Sequence, residues 1–405
     1  MFYKKNKRMK LKTGNMKYEI KRILLLFLIF IPLILSAQDS VKVNNIALNG
    51  YVKDMQSFIF KDFKSAWTNS NLIHNRLNFK WFVSHSFTAS LELTNRFLYG
   101  NILNRFPEYK NTFDYDNGII SLSKNWSEGK SYLFNTSIDR FWLQYSNKKL
   151  QITAGRQRIN WGQNFVWNPN DIFNSYSYFD FDYEEKPGSD AVRMQYYLTS
   201  TSVIEFAVKL NKQKEATLAG LYRFNRCNYD IQLISGIIDD SDFMIGTGWS
   251  GQLGDGGFTG EASYFRPLSH FMNSTGVFLA SAGYNYTFSN SLFLQAEALY
   301  NGNKNSTNIF SINQLTSSNL SAKNLFLPDF SFFCSASYPI TPLVDCSLAG
   351  IGNPQSKLYF IIPTLNISLS NNLELSFIGQ ILRYTEKDIF KQDLNFVYVR
   401  LKQSF

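Results

Sequence analysis

Proline is scarce, with ten copies in 405 residues, and cysteine and histidine are scarcer, with three of each. So few soft ligands leave no metal-binding spacing, and no phosphate-cradling glycine loop or nucleotide fingerprint is present. No Ser/His/Asp spacing stands out around His74, His85 or His270, so the chain does not read as an enzyme and no cofactor or metal is expected. After residue 40 no stretch is apolar enough to cross a membrane as a helix. A strong net charge is also missing from most of the chain. Residues 1–37 hold nine of the 41 basic and one of the 31 acidic residues, which leaves 32 against 30 and lowers the formal charge from +10 to +2. The nucleic-acid partner that a basic chain would invite is therefore excluded.

What is present begins with a leader. Lys17, Lys21 and Arg22 precede an apolar core from Ile23 to Leu35, and Ser36-Ala37 offers a cleavage site. Residues 1–37 thus read as a secretory signal peptide, too short in its core for a membrane anchor. The rest, 38–405, is rich in Phe and Tyr, with 37 and 23 copies in the whole chain.

The mature chain alternates. Ile73, Leu77, Phe79 and Trp81 share one parity, and His74, Arg76, Asn78 and Lys80 the other. Phe87, Ala89, Leu91 and Leu93 alternate with Thr88, Ser90, Glu92 and Thr94 in the same way. Period-two alternation marks strands with one apolar and one polar face. Segments of spanning length recur down the chain, with short turns near 84–86, 146–148, 198–202, 289–291 and 370–372. Long connections fall at 100–130, 159–188, 267–276 and 302–326. Lipid cannot satisfy open strand edges, so such strands must close. The expected fold is all-β: a closed antiparallel transmembrane barrel of about 18 strands, with 16 the next best count. Both termini are then periplasmic, with the short turns on that side. The segments 243–250 and 343–350 keep the pattern least well.

The most distinctive stretch is 140–193. A hairpin leads into the loop 159–188, which is dense in aromatic, amide and charged residues, and a strand leads out. So many aromatics argue for a folded loop that narrows the barrel. Polar parity puts Arg76, Lys80, Glu92, Arg96, Arg140, Arg193, Glu205, Lys209 and Arg223 on the lumen wall. About 18 strands enclose more space than side chains alone fill, which favours a wet channel. Arg156 and Arg158 fall on the lipid parity. Either the strand has left the hydrocarbon by Gly155, or a bulge there turns both into the lumen as a basic constriction, or both bond loop carboxylates such as Asp171, Asp180 or Asp182. Within the loop, Trp161, Trp167, Asn168, Asp171, Asp180 and Asp182 are candidates for solute recognition. Aromatic rings there can stack on sugars, the carboxylates can collect cations, or the loop can simply fold on its own aromatic cluster. Cys334 and Cys346 flank the turn at 338–342 and could face each other or stand reduced.

The last segment, Val397 to Phe405, alternates and ends in phenylalanine. This resembles the assembly signal of outer-membrane barrels, with Phe405 the terminal residue and Gln403 a departure from it. Together with Asn49-Gly50-Tyr51-Val52-Lys53-Asp54, the Gly155-to-Gly162 run and Trp167-Asn168-Pro169-Asn170-Asp171, the chain resembles the porin-like outer-membrane barrels of Bacteroidota. It is more distantly similar to alginate-export and specific-channel barrels. The resemblance implies an outer-membrane channel for small hydrophilic solutes, surrounded by outer-membrane lipid and inserted by the barrel-assembly machinery. The alternatives are a structural or adhesive barrel with a closed lumen, or an exporter of an acidic polysaccharide. Too few residues precede the first strand for a plug domain, so passive diffusion is the expected mechanism.

Overall fold

The structure, a computed structural model, describes residues 45–114, 116–175, 188–304, 321–386 and 390–405. The signal peptide, Asp180 and Asp182 lie outside the described residues. Residues Asn45–Ser404 form one compact unit. Its strands are β1 (Ile46–Phe60), β2 (Thr68–Phe82), β3 (Phe87–Tyr99), β4 (Ser123–Glu128), β5 (Tyr132–Ser146), β6 (Leu150–Gln157), β7 (Ser189–Tyr197) and β8 (Val203–Leu210). They continue as β9 (Ala216–Arg226), β10 (Tyr229–Ile238), β11 (Asp242–Leu253), β12 (Gly256–Pro267), β13 (Val277–Thr287) and β14 (Phe293–Asn301). The last are β15 (Asp329–Thr341), β16 (Val344–Asn353), β17 (Leu358–Ser370), β18 (Leu373–Glu386) and β19 (Phe390–Ser404).

Every pairing between these strands is antiparallel, and β1 pairs with both β2 and β19, which closes the sheet. Because β3 pairs directly with β5, β4 stands outside the ring and the wall has 18 strands. An even count returns the end of β19 to the rim where β1 begins. The two segments of weakest alternation, 243–250 and 343–350, belong to strands β11 and β16. Glycines and small residues blur their pattern, but their neighbours supply the hydrogen-bonding edge that holds them extended.

Alternation sorts the faces as expected. In β1, Tyr51, Lys53, Met55 and Ser57 are buried toward the lumen, while Val52 and Phe58 are exposed on the outside. Phe206, Val208, Leu218, Leu233 and Ile245 likewise stand on the outer face of β8 to β11. This apolar outer face suits hydrocarbon.

Strands β6, β7 and β8 are short, and a segment before β4 fills the notch above them. Strand β5 pairs with β6 only through Phe141–Ser146, and above that with β4 through Leu133–Ser137. The chain leading into β4 bridges from Gly118 to Asn211, across the tops of β6 and β7. Arg156 pins this patch. Its guanidinium bonds Asp190 Oδ1 at 2.7 Å, Asp116 Oδ2 at 2.6 Å and the Ile120 carbonyl at 2.8 Å.

Two of the alternatives left open by the sequence fall away here. The register of β6 runs unbroken through Gly155, so no bulge turns Arg156 into a lumen constriction. Gly155 instead has φ 116°, and a Cβ there would sit 2.3 Å from the Phe141 carbonyl oxygen. β6 ends two residues later, at Gln157. The bulge lies next door, in β5, where Asp139 is the extra residue opposite Glu92/Leu93. The possible facing pair of cysteines is also overturned. Cys346 stands opposite Tyr338, Cys334 opposite Gly350, and all three cysteines are free.

Candidate functional site: a loop strapped to the lumen wall

The chain that leaves β6 turns down into the barrel and lies along the inner face of β8 to β14. That face is cut shallow to receive it. Gly246 and Gly248 of β11, Ser263 of β12 and Ser281 and Gly283 of β13 all point inward. A Cβ on Gly246 would lie 2.5 Å from Asn170 Oδ1, and one on Gly248 would lie 2.8 Å from Gln232 Nε2 and 3.0 Å from Asn170 Nδ2. Only bare backbone leaves room for the loop.

Three wall carboxylates hold it there. Trp161 Nε1–H donates to Glu205 Oε1 at 2.5 Å. Glu261 accepts the backbone N–H groups of Gln163, Asn164 (3.1 Å) and Asn170 (2.8 Å). Glu297 accepts those of Phe165, Val166 and Trp167 at 3.2, 3.0 and 2.7 Å. Six consecutive or near-consecutive backbone donors therefore end on two carboxylates, which answers the question that any buried loop poses for its main chain. Side chains add to this. Asn164 Nδ2 donates to Ser281 Oγ at 2.6 Å, Asn170 Nδ2 to the Thr247 carbonyl at 2.9 Å, and Gln232 Nε2 to the Trp161 carbonyl at 2.6 Å.

The loop also folds on itself. Ile159, Trp161, Val166, Trp167, Ile172 and Phe173 are buried in one apolar cluster with the wall. Trp161 meets Phe173 edge to face at 4.9 Å, and Trp167 packs on Phe326 at 5.6 Å. Asn168 Oδ1 accepts the Asn164 N–H at 2.9 Å and fixes the bend at the tip. Arg158 bonds Asp171 Oδ2 at 2.9 Å, and Asn174 Oδ1 accepts the Ile159 N–H at 3.0 Å, which ties the two legs at the base.

Of the loop residues singled out from sequence, Trp161 (0 % exposed), Trp167, Asn168 and Asp171 are thus buried in the loop's own fold and docking. Among the described loop residues, the aromatic that reaches open space is Phe165, 50 % exposed, with its ring 5.9 Å from Phe333. Arg158 joins Asp171, one of the carboxylates weighed for it. Arg193 and Glu205 pair at 2.6 Å beneath the loop, and Arg223 donates to Gln232 Oε1 at 3.4 Å. Lys209 lies under the loop's end, 3.4 Å from the Phe173 carbonyl.

The opposite wall is charged. Registers place Glu374, Lys402, Lys53, His74, Arg96 and Asn135 side by side across β18, β19, β1, β2, β3 and β5. One step toward the short-turn rim, Arg76 bonds Glu92 Oε2 and Asp139 Oδ2, each at 2.5 Å, and Thr94 Oγ1 at 3.1 Å. Arg140 stands opposite Glu92, and Lys80, exposed, lies lower still with its ammonium 5.9 Å from the Trp142 ring. A second connection dips inward above them. Its short helix α1 (Ile102–Arg105) buries Ile102 and Leu103 on Met55, Leu72, Leu98 and Leu133. The lumen is therefore narrowed from two sides, with cations dominating the β19–β5 wall.

Sequence reasoning passed over Glu261 and Glu297 as anchors and Asp139 as the partner of Arg76. A signal existed for the first two. Each is the lone carboxylate on the inward face of its strand, and a lone buried carboxylate calls for donors.

Gly248→Val tests the shallow trough. Overpacking of this kind costs about 1–3 kcal/mol, and here it falls on loop docking rather than on the wall. The expected outcome is an unchanged barrel melting temperature with wider or noisier single-channel steps.

No family model matches the chain, and no curated protein matches it. Solved structures do. OccAB2 of Acinetobacter baumannii aligns over 91% of this chain and 99% of its own, with a TM-score of 0.56 and 9% identity. OccAB1 of the same organism aligns over 90% and 97%, with a TM-score of 0.56 and 8% identity. OccK11 (OpdR) of Pseudomonas aeruginosa aligns over 89% and 96%, with a TM-score of 0.54 and 8% identity. At these identities the likeness is one of fold: a closed antiparallel β-barrel, which in this chain has 18 strands.

Proposed function

We propose that the protein is an outer-membrane channel through which small hydrophilic solutes diffuse passively. The observation that carries this reading is the lateral docking of the 158–175 loop. It lies flat against β8 to β14, so it narrows the lumen from one side and leaves the charged β19–β5 wall facing it. A loop meant to seal the barrel would have to span it. The resemblance to porin-like barrels of Bacteroidota, with insertion by the assembly machinery through the segment ending at Phe405, belongs to the same reading.

Cations on the facing wall give the channel its preference. Lys402, Arg96 and Lys80 are only partly covered or open, whereas Arg76 is neutralised by two carboxylates and Arg400 pairs with Glu374 at 2.9 Å. Fixed charge beside a narrow aqueous path attracts counter-ions. The channel therefore favours anionic solutes, and Phe165 offers an apolar surface at the narrowing. No covalent chemistry is involved.

Swelling of protein-loaded liposomes in isotonic solutes tests this. Small sugars and amino acids should enter at rates that fall steeply with solute size, and organic anions should enter faster than cations of the same size. Liposomes that swell in none of them would refute the reading. The charge preference has its own check. Lys402→Glu places a carboxylate beside Lys53, and the zero-current potential in a salt gradient should move toward cation preference, most clearly at low salt, where screening is weakest.

A further inference from the structure

Hydrocarbon tolerates no open hydrogen-bonding groups, and through most of the barrel the outer face respects this. The faces of β8 to β11 carry Phe206, Leu218, Leu233 and Ile245 at mid-strand. The outer face of β1, β2, β3 and β5 does not. There the registers set Asn75, Asn95 and Thr136 side by side, and Lys124 of β4 continues the row. At its other end Val52 of β1 stands opposite Asn75, with Asp54 and Gln56 next on the same outer face. The middle of this band lies below the rim. Between β2 and β3 the pair Asn75/Asn95 is bracketed by Leu77/Leu93 on one side and Ile73/Phe97 on the other.

The band satisfies itself only in part. Asn95 Nδ2 donates to Asn75 Oδ1 at 3.3 Å, Thr136 Oγ1 donates to Asn95 Oδ1 at 2.8 Å, and Asn75 Nδ2 donates to the Tyr51 carbonyl at 3.3 Å. Gln56 Nε2 donates to Asp54 Oδ1 at 2.8 Å and to Tyr99 Oη at 3.3 Å. A carboxamide has two donor hydrogens and an acceptor oxygen, and a carboxylate accepts several bonds. The charged groups of Asp54 and Lys124 are exposed on this outer face, where lipid offers nothing.

We infer that the outer face of β1 to β5 is an interface on which the barrel packs against a second copy of itself in the membrane. The chemistry of the band selects this partner. It presents donors and acceptors in the same row, so it is complementary to its own copy. Asp54 lies toward one end and Lys124 at the other. Copies in one membrane share their orientation, so their symmetry axis runs along the membrane normal. Face to face about such an axis, the Asp54 end of one copy meets the Lys124 end of the next. The interface concerns the outside of the barrel and stands whatever passes through the lumen.

Native mass spectrometry of the purified mature barrel, released from lipid nanodiscs, tests the inference. The native protein should appear as a dimer or a higher closed ring. An Asn75→Leu/Asn95→Leu variant should appear as a monomer that keeps its heat-resistant barrel mobility on gels. Asp54→Lys should also yield monomers, and adding Lys124→Asp to it should restore the assembly. A native protein that is monomeric in lipid overturns the inference. So does a double-leucine variant that keeps the native oligomeric mass.

Discussion

A barrel in which Glu261 and Glu297 are both alanine is expected to conduct at least roughly twice as much current as the native barrel, because side chains alone do not fill a ring of this size. The two carboxylates accept six backbone N–H groups of the loop. Removing the acceptors leaves buried donors unsatisfied, at about 1–3 kcal/mol for each. Apolar burial of Ile159, Val166, Trp167 and Ile172 does not offset several such losses, so the loop swings off the wall. The wall itself pairs strand to strand without either side chain and should keep its melting temperature. Single-channel recording beside thermal unfolding separates the two effects. An unchanged conductance would mean that apolar packing alone holds the loop. Glu297→Gln alone is expected to behave in between, since the amide oxygen still accepts but without charge assistance.

Replacing Arg76 with alanine is expected to lower the stability of the folded barrel by about 3–5 kcal/mol, because it breaks a buried charge cluster by removing one partner. Arg76 is 1 % exposed and bridges Glu92 of β3 to Asp139 of β5. Without it, Asp139 keeps Thr94 and Ser137 as donors but loses the guanidinium that joins it to Glu92. Equilibrium unfolding in urea, with detergent or lipid present, reads the change as a lower midpoint. An Arg76→Ala/Asp139→Asn double variant should recover a large part of the loss, since it removes the stranded charge. No loss in the single variant would show that Arg96 or another cation takes over the pairing.

Much of the wall was legible in the sequence, and the reason is lipid. Each strand must turn one face to hydrocarbon, so the period-two pattern survives in the residues themselves. The outward rows Ile204–Leu210 and Leu373–Ile381 could be read without partners. Inward charges followed from the same parity, which put Arg193, Glu205, Arg76 and Glu92 on one face without saying which would pair. Partners across the lumen could not be read, because sequence separation hides them. Gln163 meets Glu261 98 positions away, and Val166 meets Glu297 131 positions away. No local pattern encodes which wall a loop will choose.

Smaller misreadings have local causes. Parity alone put Arg156 at odds with lipid and suggested a bulge at Gly155. The conflict is resolved by Asp116, from a connection 40 residues earlier that covers the arginine. The cysteines looked symmetric about a turn centred near residue 340. The hairpin in fact turns at 342–343, with Val344 opposite Thr341, and that shift of two positions separates them. Loop aromatics such as Trp161 and Trp167 read as a recognition surface because their type suits both stacking and packing. Only the wall contacts show that they pack.

The most direct test of the central claim is the single-channel conductance of the native mature protein in a planar bilayer. The account predicts stable, discrete steps, smaller than an unobstructed ring of 18 strands would give, with a zero-current potential that favours anions. Persistent silence from protein shown to be folded and inserted would contradict it, and would mean that the loops close the lumen rather than narrow it.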